Sequence, residues 1–246
     1  MIELFACQSP NVLKVVIALE ELGLPYNTTL IDIISGKGRE PEFLAINPNG
    51  RVPAIVDSDG PGGEPLALAE SGAILVYLAE KHGRFLPQDA RKRAATMQWL
   101  MFQMSGTGPM LGQYIYFSRR VKDQSHSLDR YTSEVLRLYE VVERRLGESR
   151  YLACDEYTIA DIAVFPGFRM VDIEGNDRSR YPNMNRWIAD IGARPAVARA
   201  MAAIEHMSAY GAEGVANFTD DQWDRLFGRG KYSRAAALQQ AKGAVG

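Results

Sequence analysis

Val52-Pro53 stands directly before the short apolar run Ala54-Ile55-Val56, and no other feature constrains the chain as much. Proline brings no backbone donor to a β-ladder, so it enters a strand at an edge, at the first residue, or through a cis turn. A cis bond would turn the chain sharply and leave the N–H and C=O of Val52 facing outward, free to pair with a peptide-like ligand. Downstream, Glu70-Ser71 follows the strand-like Leu66-Ala67-Leu68 and opens an apolar helix marked by Ile74, Leu75 and Leu78. Backbone N–H groups at a helix N-terminus bind anions, serine adds a hydroxyl, and the Glu70 carboxylate suits an amine. A small peptide with a free amino-acid end meets all of these demands. Taken singly, the two pieces read as strand entry and helix capping; in this order they read as a ligand site.

The chain has 246 residues, 46% hydrophobic and 24% charged, an ordinary globular composition with room for one large or two modest domains. A net charge of −2 and a pI of about 6.0 argue against nucleic acid as a partner. No run approaches the roughly 20 apolar residues of a membrane span. Met-Ile-Glu-Leu-Phe at the start carries no basic n-region. Cys7 and Cys154 show no Cys-x-x-Cys, and His82, His126 and His206 form no ligand cluster. These features predict a cytoplasmic protein in reducing surroundings, without structural disulfides, metal or membrane.

Ile2–Phe5 reads as a first strand. Ser9 reads as the N-cap of a helix with Pro10 in its first position, carried by Val12, Val15, Val16, Leu19 and Leu22 and ended by Gly23. Tyr26–Ile33 is predicted as a second strand. A loop follows whose cations, Lys37 and Arg39, are either solvated or meet a ligand carboxylate. Pro41-Glu-Phe-Leu is a short helix. Strand, helix, strand, short helix, two strands and a helix make a βαβ unit joined to a ββα unit, the thioredoxin-like layout. The expected domains are 1–84, a linker at 85–89, an all-helical domain at 90–207 and an extension at 208–246. In the helical part, Ala90 to about Arg119 is predicted as one long helix kinked at Pro109. The next helix carries Leu128, Tyr131, Val135, Leu138, Val142 and Leu146 on one face. Thr158-Ile-Ala-Asp161 forms a capping box ahead of Ile162, Ala163 and Phe165. In the extension, 218–228 is predicted as a short helix capped by Thr219 or Asp220; the Ala-, Gln- and Gly-rich remainder is expected to be loosely held.

Val52-Pro53 with Glu70-Ser71, Thr158-Ile-Ala-Asp161, Tyr181-Pro182, Trp187 and Arg194-Pro195-Ala196 resemble the glutathione transferases over residues 1 to about 207. The resemblance implies an α/β thioredoxin-like N-terminal domain that binds glutathione and an all-α C-terminal domain. It further implies that Val52-Pro53 pairs with the cysteinyl backbone and that Glu70 and Ser71 hold the γ-glutamyl end. Ser9-Pro10-Asn11 and the run Met97–Gln113, with Gly108-Pro109-Met110-Leu111-Gly112-Gln113, are similar to the bacterial Nu class, the disulfide-bond oxidoreductases, and to the fungal Ure2-like transferases. In that class a hydroxyl residue and an Asn at the positions of Ser9 and Asn11 contact the glutathione sulfurs. The class usually carries Thr where this chain has Ser9. Where the class has a glutathione-binding Gln, this chain reads Gly38-Arg39, a departure at the glycyl-carboxylate contacts; Arg39 is a glutathione-binding candidate.

The chemistry is to make a thiol nucleophilic. A thiol of pKa about 8.5 needs roughly 2.7 kcal/mol of preference for the anion to fall by about two units. A hydrogen bond to a charged group supplies about 1.5–3 kcal/mol and a helix N-terminus about 0.3–1. One donor at the head of the first helix is enough. Phe5 lies where a Tyr-type transferase keeps its hydroxyl and has none. Cys7 is either the nucleophile of a Cys-type transferase or a small, partly buried residue ahead of the helix. Ser9 serves the cap, the sulfur, or both, and Asn11 offers an amide to the same region. Met101, Met104, Met110, Tyr114, Tyr116 and Phe117 are candidates for a second-substrate wall. Arg130 lies off the apolar stripe of its helix. In Nu-class relatives the matching arginine reaches the glutathione of a neighbouring subunit, which implies a homodimer; its other reading is a solvated cation paired with Glu134. The resulting expectation is a glutathione-dependent enzyme reducing small disulfides or peroxides, with conjugation of electrophiles as a side activity. The rivals are a transferase or ether-cleaving lyase acting on an aromatic substrate, and a non-catalytic glutathione-binding regulator.

Overall fold

The computed structural model describes residues 1–120, 125–208 and 218–233. Two compact units are each assembled from separate stretches: Met1–Gln8, Tyr26–Ala69 and Ile204–Gly246 in one, Ser9–Pro25 and Glu70–Ala203 in the other.

The first unit is built on a mixed sheet of β1 (Ile2–Ala6), β2 (Tyr26–Leu30), β3 (Ala54–Asp57) and β4 (Leu66–Ala69), in the order β2-β1-β3-β4. β1 runs parallel to β2 and antiparallel to β3, with Leu4 opposite Thr28 and Ile55; β3 pairs antiparallel with β4. The parallel pair needs a crossover, which α1 (Pro10–Leu22) supplies in the chain, whereas the antiparallel β3–β4 pair is joined by residues 58–65. Leu4, Ala54 and Ile55 on the inner strands are fully buried, while Asn27–Leu30 on the edge strand are exposed. β2 is shorter than its β-branched composition suggests and ends at Leu30 rather than Ile33. The Asp32 carboxylate accepts the N–H groups of Ile34 and Ser35 at 3.0 and 2.9 Å, and this Asx turn ends the ladder. Here the unit also holds α2 (Pro41–Ile46) and α10 (Asp220–Phe227). Thr219 caps α10 and forms a capping box with Gln222. The expectation of a loosely held remainder falls largely on residues outside those described.

The second unit is helical: α1, α3 (Ser71–His82), α4 (Ala90–Phe102), α5 (Gly108–Arg120), α6 (Ser125–Glu148), α7 (Ile159–Met170), α8 (Pro182–Gly192) and most of α9 (Pro195–Glu205). Gly23 and Gly83 close α1 and α3 at φ 66° and 63°, a backbone that residues with a Cβ rarely adopt. The expected single helix from Ala90 is interrupted, but not at Pro109. A π turn, Gln103–Thr107, separates α4 from α5, and Pro109 falls in the first turn of α5, where its missing N–H costs nothing. α6 buries Val135, Leu138, Tyr139, Val142 and Leu146, close to the stripe read from the sequence. α7 is the centre of this unit and packs on α1, α3, α4 and α8. No helix among the described residues is long and apolar enough to cross a membrane.

Candidate functional site

Ser9 caps α1 in extended geometry, its Oγ accepting the Val12 N–H at 3.2 Å. A hydroxyl that accepts still has its own hydrogen to donate. Asn11, one residue inside the helix, is exposed, and its Oδ1 accepts from Lys14 Nζ at 2.8 Å. Lys14 is only 2% exposed and also donates to Gln103 Oε1 at 2.8 Å and to Ser71 Oγ at 3.4 Å. Burial pulls its pKa down to about 7, partly opposed by the carboxylate of Glu70. Ser71 is the buried first residue of α3, and Glu70 is its N-cap at φ 68° and ψ 115°. A glutamate at positive φ is strained, and such residues concentrate where a ligand or a mechanism needs them. The helical unit therefore brings Ser9 and Asn11 at the head of α1 into one hydrogen-bonded neighbourhood with Glu70 and Ser71 at the head of α3. The π turn completes it. Gln103 points into this unit, and the Met104 sulfur fills the space beside Gly72, 2.8 Å from where a Cβ would stand.

In the sheet unit, Val52-Pro53 is a cis bond and the strand ladder begins at the next residue, Ala54. Val52 packs on the cluster of Ile31, Phe43 and Ala54. The turn ahead of it is tied by Asn47, whose Nδ2 donates to the Arg51 carbonyl at 2.5 Å while its Oδ1 accepts from Asn49 N–H at 3.0 Å. Gly38 approaches Gly50 so closely that a Cβ would stand 2.6 Å from the Gly50 carbonyl oxygen. A side chain there would push two backbone segments apart. Arg39 beside it is exposed and lines a cavity of about 660 Å³ with Arg51, Arg225, Leu226 and Tyr232. Arg225, on α10, donates to the Ser35 carbonyl at 2.7 Å and to Tyr232 Oη at 2.8 Å. Cys7 is buried, and its thiol is pushed up to about 11 by burial, with Asp32 adding to the effect. It is held protonated, the opposite of what a nucleophile needs.

The proposed second-substrate residues are mostly engaged within the helical unit. Tyr114 is 7% exposed, its hydroxyl donating to the Asp172 carbonyl at 3.5 Å. Phe117 stacks on Tyr131 with ring centres 5.3 Å apart, and Tyr116 meets Phe117 edge-on. Met104 and Met110 are half-buried and Met101 is exposed. Arg130 is exposed on α6. Its candidate partner Glu134 is held instead by Arg137 through two hydrogen bonds of 2.9 and 2.6 Å. Among the described residues, no group of His, Cys, Asp or Glu is placed to hold a metal ion.

Lys14, Gln103, Arg51 and Arg225 did not emerge from the sequence as site residues. Lys14 had a signal: a lone cation inside the apolar face of Val12, Val15 and Val16, one turn after Asn11. Arg225 had none, because only folding brings α10 to the Gly38–Gly50 loops; Arg51 stands directly before Val52-Pro53.

Family models described as glutathione S-transferase, N-terminal domain and C-terminal domain match residues 8–81 and 125–190. The chain is 44% identical over 203 residues to the disulfide-bond oxidoreductase YfcG of Escherichia coli, covering 82% of this chain and 94% of that protein. It is 35% identical over 236 residues to the transcriptional regulator URE2 of Saccharomyces cerevisiae, covering 78% of this chain and 65% of that one. Among solved structures, a glutathione transferase family member from Pseudomonas fluorescens with two glutathione bound superposes with a TM-score of 0.76. It is 43% identical, and the match covers 81% of this chain and 92% of the other.

Proposed function

Since the chain belongs to the glutathione transferase family, we propose that it is a glutathione-dependent enzyme that reduces small disulfides, with the thiol activated at the head of α1. The observation that carries this reading is the Asn11 amide. Its oxygen is taken by Lys14, so its N–H groups are left to face a sulfur. The buried, protonated Cys7 supports a mechanism in which no protein cysteine takes part. A glutathione thiolate attacks one sulfur of the disulfide, forming a mixed disulfide and expelling a thiolate that takes up a proton. A second glutathione thiolate attacks the glutathione sulfur of the mixed disulfide, giving glutathione disulfide and the second thiol. Two glutathiones are oxidised and one disulfide is reduced.

In this reading Val52-Pro53 pairs with the cysteinyl backbone, and Glu70 and Ser71 hold the γ-glutamyl end. Arg39 meets the glycyl carboxylate, with Arg51 and Arg225 adding positive charge in its cavity. Arg130 reaches the glutathione of a second copy in a two-fold dimer, where a guanidinium can grip both oxygens of a carboxylate. Met104, Met110, Tyr114 and Phe117 contribute to the second-substrate side. Peroxide reduction and conjugation of electrophiles use the same thiolate and are side activities here. Free Cys7 and Cys154 suit a reducing, cytoplasmic setting. The likeness to a transcriptional regulator favours glutathione binding without turnover as the second reading.

Turnover of a hydroxyethyl disulfide, a hydroperoxide and a chlorinated aromatic separates these activities. Asn11→Ala is expected to lower kcat for the disulfide roughly ten- to hundredfold, the value of a hydrogen bond to a charged group, while Cys7→Ala keeps most of it. Loss of turnover in Cys7→Ala with glutathione still bound would establish a Cys-type mechanism instead. Ser71→Ala is expected to weaken glutathione binding by a similar factor, read by calorimetry in a folded variant; unchanged affinity would remove Ser71 from the site.

A further inference from the structure

The ammonium of Lys14 lies beneath both helix heads, with Asn11 Oδ1 and Gln103 Oε1 each at 2.8 Å and Ser71 Oγ at 3.4 Å. An ammonium has three donors and no acceptor. Each neighbour can therefore meet it only with an oxygen, and this determines what each has left to offer. Asn11 must turn its NH₂ away, and Ser71, having accepted, keeps a hydrogen to donate. Gln103 turns its own NH₂ toward Gly108, where Nε2 fills the space a Cβ would take. Gln103 is the first residue of the π turn that separates α4 from α5.

We propose that Lys14 is a positioning residue: one buried cation orients the Asn11 amide and the Ser71 hydroxyl together, so that both donors face bound glutathione. The inference rests on the reading that Asn11 and Ser71 contact the tripeptide. Among the helices that pack on α1, α3 contributes Glu70, which favours the protonated lysine. α7 contributes Asp161, which is engaged by Leu152, Thr158 and Trp187. The group facing Lys14 from the π turn, Gln103, is neutral. A neutral lysine amine would present a lone pair and could accept from the Asn11 amide, reversing its orientation. A bound γ-glutamyl carboxylate adds negative charge above Ser71 and favours the ammonium, so binding and protonation of Lys14 are linked.

The test is calorimetry of S-methylglutathione, which has no ionisable thiol, at pH 8 in buffers of different ionisation enthalpy. Wild type is expected to take up close to one proton more per site than Lys14→Met. Equal uptake in the two proteins would overturn the linkage of binding to protonation. The second measurement is a double-mutant cycle in kcat for disulfide reduction. If Lys14 acts through Asn11, Lys14→Met and Asn11→Ala together lose no more than Asn11→Ala alone. Losses that multiply would overturn it. Lys14→Gln, which keeps a donor without the charge, provides the same readouts should Lys14→Met fold poorly. If Asn11→Ala and Ser71→Ala are themselves without effect, the function proposed above fails and this inference falls with it. If those two variants are impaired while Lys14→Met matches wild type, only this inference is lost.

Discussion

Asp161→Ala is expected to lower the unfolding free energy by about 3–5 kcal/mol, the range for leaving buried, charge-assisted partners unmatched. Asp161 is fully buried at the N-terminus of α7. Its carboxylate accepts from Leu152 N–H at 2.9 Å, Thr158 N–H at 3.0 Å, Thr158 Oγ1 at 3.0 Å and Trp187 Nε1 at 2.9 Å. One side chain thus joins the cap of α7, the segment before it and α8. Burial raises its pKa while these donors lower it, and burial prevails. Alanine would leave several donors without an acceptor in a place water does not reach. Asp161→Asn keeps one acceptor oxygen but turns an NH₂ toward existing donors, so it is expected to recover only part of the loss. Urea unfolding of both variants, followed by circular dichroism, measures the difference. A loss in Asp161→Ala below about 1 kcal/mol, the ordinary net value of a single hydrogen bond, would show that this network contributes little.

Lys14 is expected to make stability depend on pH in a definite direction. Its pKa is about 7 in the folded protein against an ordinary value of 10.5. Between these values the unfolded chain binds more protons than the folded one, so the Lys14 contribution to stability rises with pH across that window. Below about pH 7 both states carry the charge and the penalty for burying it is constant; above about 10.5 neither does. At about 1.4 kcal/mol per pH unit, the whole window corresponds to about 5 kcal/mol. Lys14→Met lacks this dependence and is expected to be the more stable protein at pH 7. The advantage should shrink as pH rises toward 10. Taking the difference between the two proteins removes the opposite contribution of the Cys7 thiol, whose raised pKa costs stability above about pH 8.5. Parallel stability profiles for wild type and Lys14→Met, without glutathione, would mean that Lys14 keeps its proton in both states.

What the sequence determined by itself was whatever a few neighbouring residues decide. The cap of α1 at Ser9 with Pro10 behind it, the glycine stop at Gly23, the Thr158–Asp161 box and the Thr219 cap follow from one turn of chain. Each could be placed before any tertiary contact was known. The same holds for Val52-Pro53 and Glu70-Ser71 as binding candidates, since proline chemistry and helix-terminus chemistry are local. What only the tertiary structure decided depends on partners distant in sequence. The break expected at Pro109 moves to Gln103–Thr107, and Gln103 at its start meets Lys14. Gly38 answers to Gly50 and Arg225 answers to Ser35, pairings that no periodicity announces. Lys14 shows the difference most clearly. In sequence it is a cation on an apolar face, as ready to be solvated as buried. Its low pKa and its three acceptors exist only once α1, α3 and the π turn meet and exclude water, because the energy of a charge is set by its surroundings and not by its neighbours in the chain.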